Sequence, residues 1–200
     1  MADDNLRYNV ASENNELMRR FMAEYIMDEQ GQPAPGIKTK KFQDGSEYTG
    51  NTEKGKKTGV GMYRFFSGDM YFGDWQFDLM HGKGVLIDRD GERYEGYFDR
   101  GIKHGQGNYF SNDGTVYRGE WYNGRREGRA ILAFPNGDKY EGYFHGDKMQ
   151  GNGVYTSNSE QYIGEFVSGF RDGEGELKYK NGSIYQGGFK KGSPDGTYIK

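Results

Sequence analysis

Two apolar periods divide the chain. Between residues 12 and 29, Leu17, Met18, Phe21, Met22, Tyr25 and Ile26 recur at i, i+1, i+4, i+5, i+8 and i+9, which is one broad stripe on a helix. Ser12 or Asn14 is available as its N-cap, Glu13 falls in its first turn, and Gly31-Gln-Pro33-Ala-Pro35-Gly36 ends it. Further on the period becomes two. Tyr stands at 48, 71, 94, 117, 140, 162 and 185, at steps of 23, 23, 23, 23, 22 and 23. Each is followed two residues later by Gly and, except at Thr52, two further on by Trp75, Phe98, Trp121, Phe144, Phe166 or Phe189. The pattern Tyr-x-Gly-x-(Trp/Phe) puts its three named positions on one face of a strand. A second glycine pair such as Gly82/Gly84 continues as Gly-x-Gly-x-(Tyr/Leu), with Ala130 replacing the second glycine after Gly128. Each unit therefore predicts one β-hairpin. Dipeptides such as Ser67-Gly68, Asp90-Gly91, Asn136-Gly137 and Asn181-Gly182 join the hairpins, because they accept positive φ at low cost.

The expected organisation is an N-terminal tail over residues 1–30 carrying the helix at about 12–29, a Pro/Gly linker over 31–41, and a hairpin array over 42–200. The array has six full units starting at 48, 71, 94, 117, 140 and 162 and a truncated unit from 185. The fold class is all-β: an elongated, twisted, antiparallel single-layer sheet of consecutive hairpins plus a short amphipathic α-helix. At the usual strand spacing the ribbon would be about 65 Å long. The fifth unit is one residue short and its Asn158-Ser159 turn lacks glycine, so a local kink or changed twist is expected there.

Composition sharpens this picture. There are 34 Gly, 17 Tyr and 13 Phe, while hydrophobic residues make up only 33% of the chain, which excludes a Leu/Ile/Val core. Glycine beside a large ring leaves a hole into which the ring settles, so high Gly and high Tyr/Phe belong together. The face carrying Tyr48, Tyr71, Trp75, Tyr94, Phe98, Tyr117, Trp121, Tyr140, Phe144, Tyr162, Phe166, Tyr185 and Phe189 is the expected buried and partner-binding face. The helix cannot stay folded alone. Its stripe needs either the aromatic face of its own ribbon or another protein. Glu13, Glu16, Glu24, Asp28 and Glu29 outnumber Arg19 and Arg20, unlike a calmodulin-target or membrane-surface helix. The net charge of -3 offers no footprint for nucleic acid or an anionic membrane. Zero Cys rules out disulfides and thiolate chemistry. The start lacks the regions of a signal peptide, and the longest apolar run, Ala130 to Phe134, is too short to span a bilayer, so a cytoplasmic protein is expected.

The unit Tyr94-Glu-Gly96-Tyr-Phe98-Asp-Arg-Gly101-Ile-Lys-His104-Gly105-Gln-Gly107 resembles the MORN repeat in full. The other units resemble it with losses, among them Asp78 and Asp147 at the mid-unit glycine. The resemblance covers Tyr48 to Lys200. It implies a non-enzymatic scaffold or adaptor in a cytoskeletal assembly, with a ciliary or flagellar axoneme, and a radial spoke within it, as the sharper expectation. The alternatives are a peripheral membrane tether binding anionic phospholipid and a regulatory subunit of an enzyme supplied in trans.

Chemical sites are expected to be absent: no catalytic residue, no cofactor and no metal. Gly50-Asn-Thr-Glu-Lys-Gly55-Lys56 spells part of a phosphate loop, but Lys57 stands where Ser or Thr is needed and no helix follows. His81 and His104 occupy equivalent repeat positions, about 10 Å apart by strand spacing, too far to share a zinc ion. Glu95, Glu120, Glu141 and Glu165 read as a ladder of exposed carboxylates making weak pairs with loop lysines. Lys54, Lys56, Lys57, Arg100, Lys103, Arg125 and Arg126 in the hairpin loops give one edge a basic bias. At the other end of the array, Tyr198 and Ile199 begin a strand with no polar cap, an expected docking edge and a route to self-association through sheet ends.

Overall fold

The computed structural model describes residues 3–196, with side chains from residue 12 onward. An antiparallel sheet of fifteen strands follows the order of the chain, one hairpin after another. Its strands fall into two compact units, Met1–Gly114 and Thr115–Lys200. The first holds α1 (Asp3–Phe21), a π-turn (Met22–Ile26) and strands β1 (Lys38–Lys41), β2 (Glu47–Glu53), β3 (Lys56–Arg64), β4 (Met70–Gln76), β5 (Leu79–Ile87), β6 (Arg93–Asp99) and β7 (Ile102–Phe110). The second holds β8 (Val116–Tyr122), β9 (Arg125–Ala133), β10 (Lys139–His145), β11 (Lys148–Thr156), β12 (Glu160–Val167), β13 (Phe170–Tyr179), β14 (Ile184–Lys190) and the two-residue β15 (Ser193–Pro194).

Within a hairpin the pairing is regular at the open end and shifts once. In β4 and β5, Tyr71 pairs with Leu86 and Gly73 with Gly84, but Trp75 pairs with Met80. The extra residues on β5 form a bulge at Gly82, whose φ of 59° is the left-handed conformation that glycine adopts without penalty. The hairpins β2–β3, β6–β7, β8–β9, β10–β11 and β12–β13 repeat this device. Turns between hairpins close by a bond from residue i to i+4, as from the Asp88 N–H to the Glu92 carbonyl at 3.0 Å. In the short fifth unit the Ser157 N–H reaches the Glu160 carbonyl at 2.8 Å instead. The missing residue is thus taken from the turn, and β11 and β12 pair from Gly151 and Phe166 to Thr156 and Gln161 without a shift.

The N-terminal region departs from expectation in three ways. First, the helix starts at Asp3 rather than near Ser12. Asn14 is not a cap: its Nδ2 donates to the Gly91 carbonyl at 2.9 Å and its Oδ1 accepts from Arg93 at 2.6 Å. Second, the segment read as a linker ends in a strand. Gly31 and Gly36 turn the chain back with φ of 74° and 87°, and Lys38–Lys41 then pairs with β2. Third, the helix docks on its own sheet, but on the face opposite the aromatic rows. Phe21 and Ile26 pack with Phe72 and Ile87, flanked by Leu17, Met22, Ile37, Val60, Met62 and Val85. The π-turn decides which residues point inward: by widening one turn it buries Ile26 completely and leaves Tyr25 46% exposed.

Candidate functional site

The seven repeat tyrosines are at most 1% exposed. Tyr48, Tyr71, Tyr94, Tyr140 and Tyr162 each lie against the two glycines of their own hairpin, and in the hairpin of Tyr117 Ala130 replaces one of them. A Cβ placed on Gly84 would stand 2.4 Å from Tyr71 Cε2 and one on Gly73 2.8 Å from the Tyr71 hydroxyl, so only glycine leaves room for the ring. The hydroxyl at the ring's far end donates to the carbonyl three residues on: Tyr48 to Asn51 at 2.7 Å, Tyr71 to Asp74 at 2.8 Å, Tyr117 to Glu120 at 2.7 Å and Tyr140 to Tyr143 at 3.0 Å. Burial holds these phenols neutral, pushing Tyr140 up to about 12 and Tyr48, Tyr71, Tyr94 and Tyr117 higher still. Trp75, Phe98, Trp121, Phe144, Phe166 and Phe189 stand edge-on against them; Tyr71 meets Trp75 and Phe98 at centroid distances of 5.1 and 5.2 Å. These rings are buried too, at 2–6% exposure, so a partner would meet this face mainly through whatever covers it.

What covers it is a row of long side chains at the repeat period. Lys57 lies 4.6 Å from the Tyr63 ring and 4.9 Å from Trp75, Lys103 lies 4.7 Å from Tyr109, Arg126 lies 5.4 Å from Phe144, and Arg171 lies 5.0 Å from Tyr162. Met80 and Met149 occupy the same row. Lys57, Lys103 and Arg126 are therefore not part of a solvated basic edge: burial lowers the Lys57 pKa, with Asp78 opposing the shift. Asp78 and Asp147, which read as lost glycines, act between hairpins. The Asp78 N–H donates to the Lys57 carbonyl at 3.0 Å and its carboxylate accepts the Lys57 N–H at 2.9 Å, while Asp147 makes the same pair with Arg126.

The carboxylate ladder also has a different role. Glu120 accepts the backbone N–H of Arg129 at 3.2 Å and Glu165 that of Glu174 at 3.4 Å, as Asp74 does that of Lys83 at 3.0 Å, so these side chains satisfy donors at the bulges. Glu95 and Glu141 pair with Arg93 and Lys139 two positions earlier, not with loop lysines. A further recurrence went unread in the sequence: in the three units whose second strand has tyrosine where the others have Leu86, Leu132 and Leu177, that tyrosine bonds the turn residue seventeen positions back, Tyr63 to Ser46, Tyr109 to Glu92 and Tyr155 to Asp138. Burial pushes the Glu92 carboxyl up, but bonds from Tyr109, Ser111 and Asn112 outweigh it and hold the group below its ordinary range.

On the other face Arg93 anchors the helix. Its side chain is 4% exposed, ion-paired with Glu95 at 2.6 Å and Glu13 at 3.4 Å, with its guanidinium 4.2 Å from the Phe110 ring. Leu17, Phe21 and Ile26 of the expected docking stripe face the sheet. Met22 flanks the same core and, together with Met18, Ala23 and Met27, also lines an open groove. Tyr198 and Ile199 lie outside the described residues. Among the described residues no group of three or more His, Asp or Glu is placed to hold a metal ion, and no helix is long and apolar enough to cross a membrane.

A sheet in which successive hairpins repeat one packing unit, ring over paired glycines, defines a repeat protein of the hairpin-array class. Six segments, residues 48–70, 71–93, 94–116, 117–139, 140–160 and 162–184, match the MORN repeat, and the chain belongs to the MORN-repeat family. Among solved structures, the SAS-4 (dCPAP) TCP domain of Drosophila melanogaster, in complex with a proline-rich motif of Ana2 (dSTIL), is similar over 83% of this chain and 98% of that chain, at 13% identity and a TM-score of 0.43. A streptogramin B lyase is similar over 76% of this chain and 68% of that one, at 11% identity and a TM-score of 0.17. No curated protein sequence matches the chain significantly.

Proposed function

We propose that this chain is a non-enzymatic scaffold that holds other proteins together in a cytoskeletal assembly, and that the assembly is the axoneme of a cilium or flagellum, with a radial spoke as the sharper placement. The observation that carries the reading is the repetition itself. Tyr71 and Tyr140, Lys57 and Arg126, and Asp78 and Asp147 perform the same structural tasks in different repeats instead of converging on one cleft. A surface that recurs hairpin by hairpin suits holding partners in register. Proximity labelling with the full chain in a ciliated cell tests the placement: enrichment of axonemal proteins supports it, and enrichment confined to other compartments overturns it. The membrane-tether alternative predicts sedimentation with anionic liposomes that collapses as salt rises. The ion pairs of Lys57 with Asp78 and Arg126 with Asp147 neutralise part of the basic charge on which that tether would depend.

A further inference from the structure

Within the second unit, one place in the cation row is not filled by a cation. Lys57, Lys103, Arg126 and Arg171 lie over aromatic rings, whereas Met149 holds the equivalent place beside Tyr155 and Phe166. An open groove of about 590 Å³ lies there, lined by Met149, Tyr155, Phe170, Asp138, Glu160 and Arg171 among others. The other methionine of the row, Met80, has Leu86 on its second strand where Met149 has Tyr155.

We propose that this groove binds an arginine side chain from an extended segment of a partner protein, seated on Tyr155 between the carboxylates of Asp138 and Glu160. Three observations carry this. The groove has two carboxylates against one guanidinium. Asp138 Oδ2 accepts the Tyr155 hydroxyl at 2.6 Å and Asn136 Nδ2 at 2.9 Å, and Glu160 Oε1 accepts Arg171 at 2.5 Å, so each carboxylate keeps a second oxygen for an incoming donor. The molecule also uses this chemistry on itself: Arg126 lies over Tyr117 and Phe144 beside Asp147, and Arg171 lies over Tyr155 and Tyr162 beside Glu160. A planar guanidinium can lie against a ring while its N–H groups reach carboxylates on either side, which a lysine ammonium does less well. The inference deepens the scaffold reading by naming the partner's chemistry, yet it can fail while the proximity labelling succeeds.

The repeats supply substitutions that the fold already accommodates. Met149→Arg places in the groove the residue found at position 126, and Tyr155→Leu installs the residue found at 132 and 177. The probe is a short fluorescent Gly/Ser peptide with one arginine, titrated against the full chain, beside the same peptide with citrulline, which keeps the shape without the charge. Saturable binding of the arginine peptide is expected, about tenfold or more tighter than the citrulline peptide, and lost in both variants. Absence of saturable binding, equal affinity for the two peptides, or binding retained in Met149→Arg and Tyr155→Leu would overturn the proposal. Circular dichroism of each variant establishes that it is folded.

Discussion

At the scale of the residue, the repeat rests on one contact: a tyrosine ring filling the space that two glycines leave. Gly84→Ala would put a methyl 2.4 Å from the Tyr71 ring, well inside van der Waals contact, and overpacking of this kind costs about 1–3 kcal/mol. Urea denaturation should show that loss. Gly137→Ala, with no atom within 4 Å of the added Cβ, carries only the strain of a positive φ and should cost less. Ala130 marks how far the repeat can bend: it stands where other units have the second glycine, and Tyr117 still reaches the Glu120 carbonyl. Tyr71→Phe keeps the ring and removes its hydroxyl bond, for an expected loss of about 0.5–1.5 kcal/mol in the same assay.

At the scale of the element, the hairpins were legible in the sequence because ring and glycine share parity in every unit. The helix was legible in its stripe but not in its place. Val60 and Phe72 sit at intervening positions that are polar in most other repeats, while the position of Met62 and Val85 is also apolar at Ile131 and Val154, so it is their company with Ile87 in consecutive strands that marks a second apolar face. Asn14 reads as a cap because caps are local; its actual partners, Gly91 and Arg93, are more than seventy residues away. The bulge carboxylates were hidden for a similar reason, since the nine-residue spacing from Glu120 to Arg129 gains meaning only once the bulge exists. Phe72→Ala should loosen the helix at a cost of about 3–5 kcal/mol. Arg93→Met, which removes charged hydrogen bonds worth about 1.5–3 kcal/mol each, should raise hydrogen exchange across residues 12–26 while leaving the second unit's strands protected.

At the scale of the whole molecule, the buried phenols add up to a response to alkali. Each of Tyr48, Tyr71, Tyr94, Tyr117, Tyr140, Tyr155 and Tyr162 has its pKa raised in the folded chain, first of all by burial. A group whose folded pKa is raised contributes stability fully present below its unfolded value, near 10, and lost as pH rises through the folded one. Melting temperature should therefore fall steeply above about pH 10. The tyrosinate absorbance of these buried phenols should rise together with loss of strand signal rather than before it. Independent titration of all the tyrosines with the fold intact would contradict the packing described. The shortened fifth unit carries a different consequence, for how such a chain can change over generations. A residue lost within a strand would turn every later side chain onto the wrong face. The loss between Ser157 and Glu160 instead falls where the chain reverses, and the strands beyond it keep their alignment. Deletions are thus filtered by position: turns absorb them, strands do not, and the array can drift in length without losing its facing.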